Sequence, residues 1–196
     1  MSVLGTIVLA AVCAAVAGAL VAAYGSMPRA RSLWWVASVG AGMAAVLGAW
    51  SRAPVAVALA GAGLAAAAVI DGVEHRIPAS LAHGTTVASV VALVTYGWRS
   101  ADWTPLAGAA TLTAGVVALF SIVWVAGGMG YGDVRLAAST VTASLAGLAG
   151  AVTLLGGAFA TAGVAAAVRR QRGGRHARIP FAPALAIGWL LAVTTT

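Results

Sequence analysis

Residues 54–78 read PVAVALAGAGLAAAAVIDGVEHRIP. From Pro54 to Ile70 no side chain carries a charge, and as a helix this run extends about 26 Å at 1.5 Å per residue. That is close to the ~30 Å of a bilayer's hydrocarbon core. Backbone groups in lipid must be satisfied within their own segment, so the stretch predicts a membrane-crossing helix over 54–71. It ends on Asp71. A short polar turn follows, and Pro78 precedes the next apolar run.

Outward from this stretch the pattern repeats. The chain has 196 residues, 62% of them hydrophobic, and a mean hydropathy of +1.01. Apolar runs lie at roughly 3–24, 33–50, 54–71, 79–97, 104–126, 134–168 and 180–195. A soluble core does not need several runs near twenty residues long, whereas a bilayer does. The expected fold is all-α: a polytopic bundle of transmembrane helices forming a single integral-membrane domain over 1–196, with the lipid bilayer as its surroundings. Glycine and alanine are abundant, and small residues let helices approach closely in lipid. Gly40, Gly42, Gly61 and Gly63 read as packing positions. Trp34, Trp35, Trp50, Trp98 and Trp103 fall near the ends of runs, as interfacial anchors do.

The run 134–168 is too long for one span, since as a single helix it measures about 52 Å. A break near Gly147–Gly150 divides it in two, giving eight spans. Charge supports this count. With the N-terminus outside, the inner loops collect nine arginines (Arg29, Arg31, Arg76, Arg135, Arg169, Arg170, Arg172, Arg175 and Arg178) and the outer loops only Arg52 and Arg99. An unbroken run would place the arginines of 169–178 outside, against the positive-inside rule.

The same distribution excludes nucleic acid as the reason for the net charge of +7, because the arginines lie between apolar runs. The lone Cys13 offers neither a disulfide framework nor a thiolate metal site. Val3–Tyr24 lacks the basic start of a cleavable signal and is followed by Arg29 and Arg31, so it is expected to be a retained span.

The chain has four acids, Asp71, Glu74, Asp102 and Asp133. Asp133 closes the glycine-rich stretch Gly127-Gly-Met-Gly-Tyr-Gly-Asp133 after another apolar run. In the eight-span arrangement Asp71 and Asp133 reach the same membrane edge. Intramembrane acids are costly, ~2.5–3.5 kcal/mol at mid-helix, and usually functional. Two carboxyls in one site share a proton, since like charges cannot both ionise at close range. The ionised member can then take a proton from water attacking a peptide carbonyl, while the protonated member donates to the carbonyl oxygen. Neither metal nor organic cofactor is required. A plainer reading pairs Asp71 with Arg76 across the turn. Asp133 and Arg135 lie two apart and on different helix faces, so they pair poorly. A third reading, from a different class, makes the two acids a proton or ion relay in a transporter. Relay acids tend to lie near mid-membrane, whereas these lie at one edge.

Three segments resemble the type IV prepilin peptidase family: Ile70-Asp71-Gly-Val-Glu-His-Arg-Ile77-Pro78, Gly128-Met-Gly-Tyr-Gly-Asp133-Val-Arg135, and Ile179-Pro180-Phe181-Ala-Pro183 continuing to Gly188. The resemblance implies a membrane aspartyl endopeptidase of the G-x-G-D type with Asp71 and Asp133 catalytic. Pro78, Gly130, Gly132 and Pro180 are its motif positions. It implies a site at the cytoplasmic face of a bacterial cell membrane. There a short basic leader is clipped, usually after a Gly, from prepilin or pseudopilin precursors with an apolar helix, serving pilus assembly or protein secretion. Ala79 stands where the family commonly has Asn or Asp, and Ser80 is expected to take over part of the capping. The paired Cys-x-x-Cys domain associated with N-methylation is missing between the first two spans, so methyltransferase activity is not expected. Glu74 is the acid best placed to receive a basic leader, against the plainer reading of a solvated loop charge. His75 and His83 read as ordinary loop and helix-start residues, and Asp102 as an outer-loop acid.

Overall fold

The computed structural model describes residues 2–51, 53–126, 130–138, 147–171 and 180–194. Among them the elements are helices only: α1 (Val3–Tyr24), α2 (Pro28–Ser32), α3 (Trp34–Gly48), α4 (Pro54–Glu74), α5 (Ala79–Ser100), α6 (Thr104–Val125), α7 (Tyr131–Ala137), α8 (Gly147–Gln171) and α9 (Ala182–Val193). Local chemistry sets their starts. Ser2 caps α1 through its hydroxyl on the Gly5 N–H at 3.1 Å. Proline stands in the first turn of α2, α4, α6 and α9, where its missing N–H costs no helical bond.

Among the described residues five helices are long and apolar enough to cross a membrane, and α3 and α9 are shorter apolar helices. The run 134–168 is not one helix: α7 ends at Ala137 and α8 begins at Gly147. Gly147–Gly150, where the break was expected, is helical and belongs to α8. Residues 139–146 between the two lie outside the described residues, as does most of the arginine cluster at 172–178.

α4 is the axis of the bundle. Two thirds of its apolar window (67%) is buried, against 28% or less in any other long apolar helix. It packs on α1, α3, α5 and α9. Its buried face is mostly alanine and glycine, so the helices meet at short range through van der Waals contact, the main attraction available between helices in lipid. A Cβ at Gly61 would strike Ala44 and lie 3.0 Å from the Trp189 ring, and one at Gly63 would strike Thr85. Both behave as the expected packing positions. Gly40 and Gly42 do not, since a Cβ there meets nothing closer than 3.4 Å. The closest backbone approach is elsewhere, between α8 and α9, where a Cβ on Gly157 would sit 2.9 Å from Gly188 Cα. The lipid-facing exterior is apolar, with Val8, Val12, Val87, Val91 and Leu148 exposed.

The turns gather at two ends. At one end Glu74 after α4 binds the Ser26–Met27 turn after α1, and Arg76 reaches the Tyr24 carbonyl at 3.1 Å. At the other, Ala53 before α4 and Ala56 in its first turn share a small core with Leu93 and Ala109, while Trp103 folds over Gly97. Trp34 and Trp35 are exposed at the first end, and Trp50, Trp98 and Trp103 at the second, as two aromatic belts would require. Trp189 is the exception, fully buried between α9 and α4.

Candidate active site

Asp71 lies one turn before the end of α4, and its residue is 6% exposed. The helix stops because His75 takes a left-handed conformation, φ 53°, with its N–H on the Asp71 carbonyl at 2.9 Å. Glycine usually fills such a cap, and His is among the residues that tolerate it. Pro78 then disfavours a helical Ile77 and begins the next helix as the N-cap of α5. No side-chain hydrogen bond caps α5, so Ser80 does not take the expected capping role.

The Asp71 carboxylate faces the start of α9. Its Oδ2 accepts the Ala182 N–H at 3.0 Å, a buried bond spanning 111 positions of sequence. Pro183 in the same first turn has no N–H, so Asp71 supplies a partner to one of the few free donors there. The positive end of the α9 dipole also points at the acid. Thus the third motif segment is positioned on the first, a contact that sequence reading missed. Its signal was the pair Pro180 and Pro183, which mark a helix start in need of a cap.

Asp133 stands in the first turn of α7, ahead of the apolar run that follows and outside the five long apolar helices. Its Oδ2 accepts the Gly130 N–H at 3.2 Å, while its own N–H binds the Gly130 carbonyl at 3.1 Å. Burial above all, and then the negative charge of Asp71, push its carboxyl up to about 6, against the Gly130 N–H that favours ionisation. The two acids are therefore within electrostatic reach at one end of the bundle. The turns that carry them also touch, as a Cβ on Gly132 would lie 3.3 Å from the Ile77 Cβ. Residues 127–129 of the glycine-rich stretch, and Ile179, lie outside the described residues.

Aromatic rings wall this end. Phe181, next to Ala182, packs edge-on to Phe120 at 5.6 Å, and Phe159 joins them at 5.8 Å. Tyr131 lies 4.9 Å from Trp124, with the Arg135 guanidinium 4.4 Å above its ring.

Among the described residues no cation pairs with either aspartate. Arg76 binds Glu74 at 2.7 Å rather than Asp71, and Arg135 stacks on Tyr131. This removes the Asp71–Arg76 salt bridge considered from sequence. Glu74 is neither a solvated charge nor an open acceptor. Its carboxylate takes the Ser26 N–H at 2.6 Å, the Met27 N–H at 2.9 Å, the Ser26 hydroxyl at 2.8 Å and Arg76 at 2.7 Å. With these four donors bound, it ties α1 to the end of α4. Asp102, away from the site, accepts the Thr104 N–H at 3.0 Å at the start of α6.

No family model, curated protein or solved structure matches the chain. The class defined by fold and site is a helical membrane bundle carrying a buried and a half-buried aspartate at one end.

Proposed function

We propose that the protein is a membrane aspartyl endopeptidase of the prepilin peptidase type. It would remove the short basic leader of prepilin-like precursors at the cytoplasmic face of a bacterial cell membrane. One observation carries the reading: the three motif segments meet at one end of the bundle, with Asp71 Oδ2 on the Ala182 N–H and Gly132, beside Asp133, against Ile77.

In this reading Asp133 holds the shared proton and Asp71 is the base. Asp71, oriented by the Ala182 N–H, takes a proton from water as the water oxygen bonds to the scissile carbonyl carbon. Asp133 donates its proton to the carbonyl oxygen. The tetrahedral intermediate then collapses: the C–N bond breaks, the leaving nitrogen takes the proton from Asp71, and the oxygen returns its proton to Asp133. Glu74 has no part in the chemistry, its acceptors being engaged by the α1 turn. Leader charge would have to be met by the reacting pair or by lipid.

A relay needs polar groups continuing inward from Asp71. Two buried hydroxyls of α5, Thr85 and Ser89, bind carbonyls of their own helix at 2.8 Å. No observation favours transport over hydrolysis.

The test is inhibition in reconstituted vesicles by a peptide carrying a tetrahedral hydroxyl group in place of the scissile bond. Such a mimic is expected to bind at least about 100-fold tighter than the uncut peptide, as transition-state analogues do. Equal affinity for both would count against a shared-proton mechanism.

A further inference from the structure

Beside Asp71, a cavity of about 570 Å³ runs between α3, α4 and α9. Its floor is made of small residues, among them Gly40, Ala65 and Ala68, and it reaches from Gly72 and Pro183 inward to Gly61. The distance from Gly72 to Gly61 along α4 is about 16 Å. Its rim carries Val36 and Ile187, which are 40% and 43% exposed, so it opens sideways to the surroundings of the bundle. The cation lining it is Arg29, at the end where α1 and α4 finish. Arg29 is exposed, and its guanidinium has no protein partner among the described residues.

Charge decides what fits. The lining is apolar apart from Arg29, so the groove suits a molecule with a long apolar body and an anionic end. Basic pockets between transmembrane helices at the cytoplasmic side suit anionic headgroups. We propose that this groove binds a phospholipid with an anionic headgroup, its phosphate on Arg29 and one acyl chain lying along α4. The bound chain would lie against Gly72 and Val73, the two residues after Asp71, and hold α3 and α9 on either side of α4. The proposal needs only that the bundle sits in a bilayer, and stands or falls independently of the peptidase reading.

The experiment is native mass spectrometry of the full chain released from nanodiscs of equal phosphatidylglycerol and phosphatidylethanolamine. The wild type is expected to retain one phospholipid, enriched in phosphatidylglycerol. Arg29→Gln should reduce that enrichment about fivefold, the weight of one cation near an anionic surface. Ala68→Phe, which fills the groove, should lose the adduct while keeping the wild-type circular dichroism. If Ala68→Phe does not fold, the wild type and the exposed Arg29→Gln decide alone. No retained lipid in the wild type, or an enrichment untouched by Arg29→Gln, overturns the proposal. So does a photoreactive residue at position 187 that labels a co-expressed apolar helix and not phospholipid, because it would assign the groove to a peptide.

Discussion

A carboxyl raised to about 6 is half protonated one unit below neutrality, and Asp133 is in this state because burial and Asp71 both disfavour its charge. Cleavage that needs Asp133 protonated should decline as pH rises through about 6. It should also fall at low pH, where the partner carboxyl fills, so kcat/KM against pH in vesicles should be bell-shaped with limits belonging to the pair. A rate still climbing at pH 8 would contradict the assignment. The same shift has a sign for stability. A carboxyl with a raised folded pKa contributes stability below its unfolded value that is lost as pH rises through the folded one. Asp133→Asn should therefore be at least as heat-resistant as wild type at pH 8, although inactive. Glu74 behaves differently. Glu74→Ala hands the exposed Ser26 and Met27 donors to water and should cost about 0.5–1.5 kcal/mol, read as a lower melting temperature in detergent. Its sensitivity to leader charge should be unchanged. The two aspartates were legible because an acid after an apolar run is costly and rare. The engagement of Glu74 was not, because its partners lie 47 and 48 positions away.

At the scale of the element, the long helices were legible to within a few residues because their hydrophobicity ends sharply at Tyr24, Glu74 and Ser100. The shorter α3 was read slightly too long, since Ala49 and Trp50 continue the apolar run past Gly48, and α9 starts at Ala182 rather than at Pro180. Gly147–Gly150 misled for another reason. Glycine weakens an isolated helix by about 1 kcal/mol, but Gly147–Gly150 is helical within α8 all the same. Glycine matters more where two backbones touch. Gly188→Val would drive side-chain atoms into the Leu154 carbonyl and Ala158, separating α8 from α9. The expected cost is about 1–3 kcal/mol, measured by denaturant titration in vesicles. Because α9 also supplies the Ala182 N–H to Asp71, this variant should lose activity before it loses its fold. Gly84→Val, with open space around it, should change neither.

For the whole molecule, the contacts at Glu74, Asp71 and Gly132 bring the turns after α1 and α4, and the starts of α7 and α9, to one end. The charge-based topology assigns those same turns to one side of the membrane. With eight spans, single cysteines at Ser32 and Arg76 in a Cys13→Ser background should be labelled from one side. Cysteines at Asp102 and Thr194 should be labelled from the other, using an impermeant maleimide on cells and inverted vesicles. Labelling of position 194 from the Arg76 side would remove a span. Charge could order the loops because arginines sit between apolar runs. It could not show that the carboxylate of one motif binds the first turn of another, since hydropathy carries no contact information.

The central claim is that Asp71 and Asp133 together hydrolyse a peptide bond. The most direct measurement is cleavage of a co-expressed prepilin with a basic leader, a glycine junction and an apolar helix, followed by gel shift and N-terminal sequencing. Wild type should release the leader after the glycine. Asp71→Asn and Asp133→Asn should each leave the precursor intact while remaining in the membrane at wild-type levels. Cleavage by either variant, or an intact precursor with wild type across several prepilins, would contradict it.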